Sequence, residues 1–209
     1  MTSRVKICGI TRVEDAIAAS ELGADAIGLV FYPPSPRYVS ELSLARDIAM
    51  SAGPFVDVVG LFVNATAAEI DQVLKQVPLN CLQFHGDESP ESCEHWARPY
   101  IKALRMKEGL DLAREKQRYS SARALLLDSY VKGVPGGTGE AFNWHRVPQQ
   151  LGPIVLAGGL LPENVASANT IAKPWALDVS GGVETSPGIK DRNKIAAFIN
   201  NAKLECASD

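Results

Sequence analysis

A chain of 209 residues, 46% of them hydrophobic, carries enough apolar material for one domain with a sizeable core. A net charge of -3 without any run of Lys and Arg excludes the basic clusters that favour nucleic acid or an anionic membrane. No apolar stretch approaches the roughly 20 residues of a membrane span.

The opening MTSRVKICG enters a strand pattern at once and leaves no room for a signal peptide. Cys8, Cys81, Cys93 and Cys206 form no CxxC pair and read as reduced thiols of a cytoplasmic protein. Cys81 reads as core and Cys206, in the polar tail LECASD, as exposed and inessential. The single histidines His85, His95 and His145 lack metal-ligand spacing, so zinc is not expected and no other cofactor is implied.

VKIC (residues 5–8) is the first strand. VEDAIAASELG follows with helical spacing, with Thr11 ahead of it and Glu14 and Asp15 in its first turn, close to a capping box; Gly23 stands where that helix should stop. Strand DAIGLVF runs into YPPSPRYVS, a proline-stiffened loop with Arg37 near its tip. Helical ELSLARDIAMSAG, strand VDVVGLFV and helical TAAEIDQVLKQV come next. Strands CLQFH, IKALRM, ALLLD and PIVLAGG then lead through helical LPENVASANTIA to WALDVSGG. Near-continuous apolar strands alternating with amphipathic helices indicate a parallel sheet covered by helices. About eight such units predict a single (βα)8 barrel domain over residues 1–209, compact beside the usual ~250 residues. An open doubly wound sheet would carry GxGxxG after its first strand, where this chain has CGITRVED.

Barrel active sites lie at the C-terminal ends of the strands. Here those ends carry Cys8, His85, Asp128, the pair Gly158 and Gly159, and the run Ser180, Gly181 and Gly182. AGG and SGG close the last two units, where backbone N–H groups can cradle a phosphate; tight turns are the plainer reading. GVPGGTGEAF (residues 133–142) lacks the Lys-Ser/Thr pair of a P-loop and suits either a lid or a surface loop. Cys8 alone could be a small buried hydrophobe, and Asp128 alone a helix cap. Facing one another across a barrel mouth, thiolate and carboxylic acid make a base and an acid for proton transfer. His85, on an interior-facing strand end, fits substrate contact or a satisfied core histidine equally.

The blocks KICGIT, DAIGLVFYPPSPRYV, VGLFVN, LQFHGDE, IKALR, LLLDSYVKGVPGGTGEAFNW, LAGGL and DVSGGVE, in this order, resemble the phosphoribosylanthranilate isomerases of tryptophan biosynthesis over essentially the whole chain. The resemblance implies an aldose–ketose isomerase performing an Amadori rearrangement, with Cys8 as general base and Asp128 as general acid. It further implies Arg37 on the anthranilate carboxylate and Gly158, Gly159, Ser180, Gly181 and Gly182 on the phosphate. The expected ligand is a small phosphorylated aminosugar, with neither nucleic acid nor membrane as partner. GTGEAFNW departs from the family, many of whose members show Lys-Thr after GTG and Asp before Trp, which affects Glu140, Ala141 and Asn143. Gly181 stands where others carry a second serine. A strand ending in cysteine then supplies a partly ionised thiol as the base, and Gly9 lets the chain turn away from it. A ribulose-phosphate epimerase would want metal-binding histidines and paired aspartates, and a histidine-pathway isomerase two aspartates; a non-catalytic barrel would have lost Cys8 or Asp128.

Side chains alternate along a strand, so an inward Cys8 implies an inward Lys6 one layer deeper, roughly 6–7 Å below the sulfur. A lone ammonium there needs a carboxylate. Asp178, on the strand neighbouring the first in a closed barrel, faces as Ser180 does. A Lys6–Asp178 ion pair under the site is expected, the alternative being a Lys6 that snorkels to the lower rim.

Overall fold

The computed structural model describes residues 3–129, 142–148 and 150–203. Its strands are β1 (Arg4–Cys8), β2 (Ala26–Val30), β3 (Asp57–Phe62), β4 (Cys81–Phe84), β5 (Tyr100–Arg105), β6 (Ala124–Asp128), β7 (Ile154–Leu156) and β8 (Ala176–Val179). All eight run parallel and close into a barrel in chain order, with β1 bonded to both β2 and β8. Around it lie α1 (Val13–Glu21), α2 (Leu42–Ser51), α3 (Ala67–Gln76), α4 (Pro90–Glu94), α5 (Leu112–Arg118), α6 (Val165–Ala172) and α7 (Arg192–Lys203). Between β6 and β7 the described residues form only a 3-10 turn, Trp144–Arg146, where Asn143 accepts from His145 N–H. A hairpin, β9 (Glu184–Ser186) with β10 (Ile189–Lys190), follows β8.

Strands with both faces buried explain the near-continuous apolar runs. Outward residues such as Ile7, Ile27, Phe62, Phe84, Leu125 and Leu156 pack with the helices in one large cluster. Inward, small and branched residues (Ala103, Ala124, Leu126, Val155, Ala157 and Ala176) plug the barrel, and Cys8, Val30 and Leu61 pack nearer the mouth.

Local signals act where helices begin and end. Thr66 and Glu69 form a full capping box on α3, and Ser89 caps α4 with Pro90 at its first position. Gly23 ends α1 with φ +91, as expected of a helix stop. Thr11 does not cap α1. Arg12 occupies the cap position without a side-chain bond to the helix backbone, and the Thr11 hydroxyl instead donates to the Gly188 carbonyl at 2.6 Å. Arg12 bridges to Asp15, whose carboxylate also accepts from Lys190 N–H, so the start of α1 is tied to β10.

Candidate active site

The strand ends surround a cavity of about 630 Å³ at the C-terminal mouth, lined by Cys8, Arg37, His85, Asp128, Asp178 and the loops after β7 and β8. Of the glycine-rich stretch 133–142, read as a lid or a surface loop, residues 133–141 with Glu140 and Ala141 lie outside the described residues, as does Cys206.

The thiol side is built from β1, β2 and β8. Lys6 and Asp178 are register partners, and Lys6 Nζ lies 2.8 Å from Asp178 Oδ1 with both side chains buried. Lys6 therefore points inward and does not snorkel. Burial works against its ammonium, but the Asp178 carboxylate, the largest opposing influence, helps hold it charged, well above the ordinary lysine range. Gly28, the register partner of Cys8, leaves room for both neighbours: a Cβ there would stand 2.7 Å from Cys8 Sγ and 3.1 Å from Lys6 Nζ. Gly9 has φ +73, and a Cβ on it would meet Arg37 Cδ at 2.5 Å, so glycine is required where the chain leaves the sulfur.

One expectation is corrected here. Burial pushes the Cys8 thiol up; the charge and hydrogen bonding of Lys6 and, more weakly, Lys190 pull it back, while Asp178 adds to the rise. Desolvation is the largest of these influences, so in the free site the environment works against the partly ionised thiol expected at this strand end.

Above the thiol sits an ion cluster that the sequence reading missed. Arg37 donates from Nε and Nη2 to the two carboxylate oxygens of Glu184, each at 2.7 Å. Lys190 Nζ donates to the same carboxylate at 2.8 Å and to the Ser180 carbonyl at 3.1 Å. Despite burial, the Arg37 bond and the Lys190 charge hold the Glu184 carboxyl below the usual carboxylate range. Arg37 thus spends the Nε–Nη2 edge of its fork on Glu184. Its other edge, Nη1 with the second hydrogen of Nη2, has no partner among the described residues and belongs to the cavity wall.

The acid side comes from β4, β6 and β7. Asp128 Oδ1 accepts from Ser129 N–H at 2.8 Å, and Oδ2 lies 3.2 Å from His85 Nε2. His85 Nδ1 lies 3.2 Å from the amide of Gln83, a fully buried residue two positions earlier on β4. Gly158 makes the fit possible, because a Cβ there would lie 2.6 Å from Asp128 Oδ1. Cys81 faces inward below Gln83, where burial pushes its thiol up to about 11.

The loops after β7 and β8 meet between the two sides. Gly158 and Gly159 have φ +78 and +67, and Gly181–Val183 forms a 3-10 turn. The N–H groups of Gly159, Gly181 and Gly182 have no acceptor among the described residues. A Cβ on Gly182 would collide with the Leu160 carbonyl, so the two loops touch through glycine. Such converging, unoccupied N–H donors suit an anion.

Residues 5–201 match the family profile described as N-(5'phosphoribosyl)anthranilate (PRA) isomerase. The chain is 61% identical over 198 residues to the N-(5'-phosphoribosyl)anthranilate isomerase of Pseudomonas fluorescens (strain Pf0-1), covering 94% of this chain and 97% of that one. It is 58% identical over 208 residues to the enzyme of that name from Alcanivorax borkumensis, with 96% and 95% covered. Among solved structures, the phosphoribosyl anthranilate isomerase of Thermotoga maritima superposes with TM-score 0.88 at 43% identity, covering 96% of this chain and 98% of that one. A phosphoribosyl anthranilate isomerase in complex with reduced 1-(o-carboxyphenylamino)-1-deoxyribulose 5-phosphate superposes with TM-score 0.85 at 42% identity, with the same coverage. Whole-length matches at this identity, on a barrel whose mouth joins a thiol, a carboxyl and an anion cradle, leave one conclusion: the chain belongs to the phosphoribosylanthranilate isomerase family.

Proposed function

We propose that the protein converts N-(5-phosphoribosyl)anthranilate to 1-(2-carboxyphenylamino)-1-deoxyribulose 5-phosphate in cytoplasmic tryptophan biosynthesis, with Cys8 as general base and Asp128 as general acid. The observation that carries this reading is the shared cavity: thiol and carboxyl line it from opposite parts of the barrel, with the glycine loops between them. The phosphate is held by the free N–H groups of Gly159, Gly181 and Gly182, and the anthranilate carboxylate by the unspent edge of Arg37.

Asp128 gives its proton to the furanose ring oxygen, which takes the electron pair of the C1–O bond and leaves a cationic Schiff base. Cys8 then removes the C2 proton, and the resulting enolamine becomes the ketone as C1 gains a proton and the C2 hydroxyl loses one. A thiol pushed up in the free site is compatible with this order. A Schiff-base cation formed beside the sulfur joins Lys6 and Lys190 in favouring thiolate, so the thiol releases its proton to solvent as the ring opens and the thiolate then takes the C2 proton. No metal or organic cofactor enters any step, and among the described residues no helix is long and apolar enough to cross a membrane.

The test follows anthranilate fluorescence while substrate is generated in situ from anthranilate and phosphoribosyl pyrophosphate. Time-dependent loss that needs the protein, and that Cys8→Ala abolishes, is the expected result. Stoichiometric binding without turnover overturns the reading.

A further inference from the structure

The general acid presents a problem of proton storage. An ordinary aspartate carboxyl is ionised near neutral pH and has nothing to give. Oδ1 of Asp128 already accepts from Ser129 N–H, so a proton on this carboxyl belongs on Oδ2, the oxygen 3.2 Å from His85 Nε2. What His85 Nε2 can do there depends on Nδ1, and Nδ1 is governed by Gln83.

Gln83 holds the decisive clue. With its Nε2 toward the ring, Nδ1 must be the acceptor, Nε2 of His85 must donate, and Asp128 is left as a bare carboxylate. That orientation also leaves Gln83 Oε1 buried with no partner. A half-turn of the amide exchanges two atoms of nearly equal size and puts Oε1 on Nδ1–H. His85 Nε2 can then accept the Asp128 O–H or, as imidazolium, donate to the carboxylate. In both forms the pair holds one proton available for delivery. The turned amide's Nε2 then takes the buried place of Oε1, beside the cavity that Gln83 lines.

We propose that Gln83 and His85 are positioning residues of the reaction: Gln83 Oε1 fixes the proton on His85 Nδ1, so that the Asp128–His85 pair stores the proton that the acid delivers. This rests on the isomerase reading above. When the Asp128 O–H breaks, its proton goes to the ring oxygen together with the C1–O electron pair. Asp128 is left ionised and His85 neutral, with Nδ1 still protonated. The pair recovers a proton from the C2 hydroxyl as the ketone forms, while Cys8 returns the C2 proton to C1, so no outside co-reactant is required.

The surroundings are arranged to hold His85 still. Lys102 Nζ, buried under β4 and β5, donates to the carbonyls of Phe84 and Gly86, the residues on either side of His85, and pairs with Glu88 at 2.9 Å. Glu88 accepts in turn from the N–H of Gly86 and Asn64. The other ionisable groups around the cavity are Arg105, register partner of Asp128 on β5, Cys81 below Gln83, then Cys8, Lys6 and Asp178 across it, and Tyr32 and Arg37 from the loop after β2, with Glu184 and Lys190 behind Arg37.

Two measurements on the full protein decide the matter. The first is ¹⁵N NMR of the histidine rings of the wild-type protein, where three histidines allow assignment by the signals lost in His85→Gln. The expected result is a protonated Nδ1 on His85 throughout pH 6–8; Nδ1 bare and Nε2 protonated over that range overturns the proposal. The second is kcat against pH for His85→Gln, whose amide can still donate to Asp128 but cannot store a proton. The basic limb should move to lower pH, with kcat at pH 8 down about tenfold or more and KM little changed. A wild-type kcat with an unmoved basic limb overturns it as well. If His85→Gln does not fold, the wild-type rings remain decisive, with Gln83→Leu identifying the His85 signals. Failure of wild-type turnover would sink the isomerase reading but leave the ring protonation measurable, so the two failures are distinct.

Discussion

Lys6→Met removes the ammonium under the thiol while keeping most of its bulk. The Gly28 geometry places Cys8 Sγ and Lys6 Nζ no more than about 5.8 Å apart. At an effective dielectric of about 20, two unit charges at that separation attract by about 3 kcal/mol. Asp178 opposes Lys6 at the thiol, but with the smaller influence of the two. Once stranded, its carboxylate regains neutrality by binding a proton, which returns part of the loss. The thiolate of Cys8 should therefore be disfavoured by about 1.4–3 kcal/mol, or about 10- to 100-fold at a fixed pH.

The assay is iodoacetamide alkylation from pH 6 to 9.5, with the Cys8 peptide followed by mass spectrometry to separate it from Cys81 and Cys93. Breaking one half of a buried pair destabilises by about 3–5 kcal/mol, so folding is verified by circular dichroism at the working temperature. Lys6→Met with Asp178→Asn should regain stability without regaining thiol reactivity. An unchanged alkylation curve in folded Lys6→Met refutes the electrostatic argument, even though the ion pair exists.

Asp128→Asn should leave the fold and phosphate affinity intact and lower kcat by about 10²-fold or more in the fluorescence assay; near-wild-type turnover removes Asp128 from the mechanism. Arg37→Ala should raise KM by the equivalent of roughly 1.5–3 kcal/mol and lower Tm, because Glu184 loses a buried partner, with Lys restoring only part. Unchanged substrate affinity would mean the arginine serves the ion cluster alone. Gly182→Val must push the Leu160 carbonyl aside and should weaken both substrate and inorganic phosphate, read by titration calorimetry. Glu184 has a folded pKa below its unfolded one, so its stabilisation is present above the ordinary carboxylate range and is lost as pH falls through the lowered value. The Tm difference between wild type and Glu184→Gln should accordingly be largest near pH 7 and close at acid pH.

The barrel was legible because parallel strands buried on both faces leave unbroken apolar runs, and eight such runs admit few other closures. The Lys6–Asp178 pair was legible for a similar reason: alternation fixes facing, and closure makes β1 and β8 neighbours. Gln83 could have been found by that same rule, since it shares the facing of His85. Lys102 could also have been noticed, as a lone charge inside the apolar run IKALR. Glu184 and Lys190 were hidden because VETSPGIKD reads as a solvated turn, and only the folded hairpin brings both side chains under the Ser180 loop. Thr11 was misread as a cap because its true acceptor lies 177 residues away in sequence. The upward push on the Cys8 thiol depends on how thoroughly the site excludes water, a property of packing that strand-end chemistry does not encode.

Charge is divided across the cavity in a way that suits both halves of the chemistry. Arg37, Glu184 and Lys190 together leave one net positive charge directly behind the β8 glycine loop, while Lys6 and Asp178 cancel below it. That wall therefore favours anions, which on the proposed reading are a phosphate on the loop, a carboxylate on Arg37 and, more weakly, a thiolate at Cys8. A phosphate bound there would in turn oppose the thiolate, which makes the buried Lys6 valuable as a cation the substrate cannot neutralise. An acid on the same wall would lose its proton to the cations. Asp128 instead sits on the far side, bonded to a neutral-capable imidazole, with Arg105 its one cationic strand neighbour among the described residues. On the proposed mechanism, this separation keeps the carboxyl of Asp128 apart from the cluster of cations that favours a thiolate at Cys8.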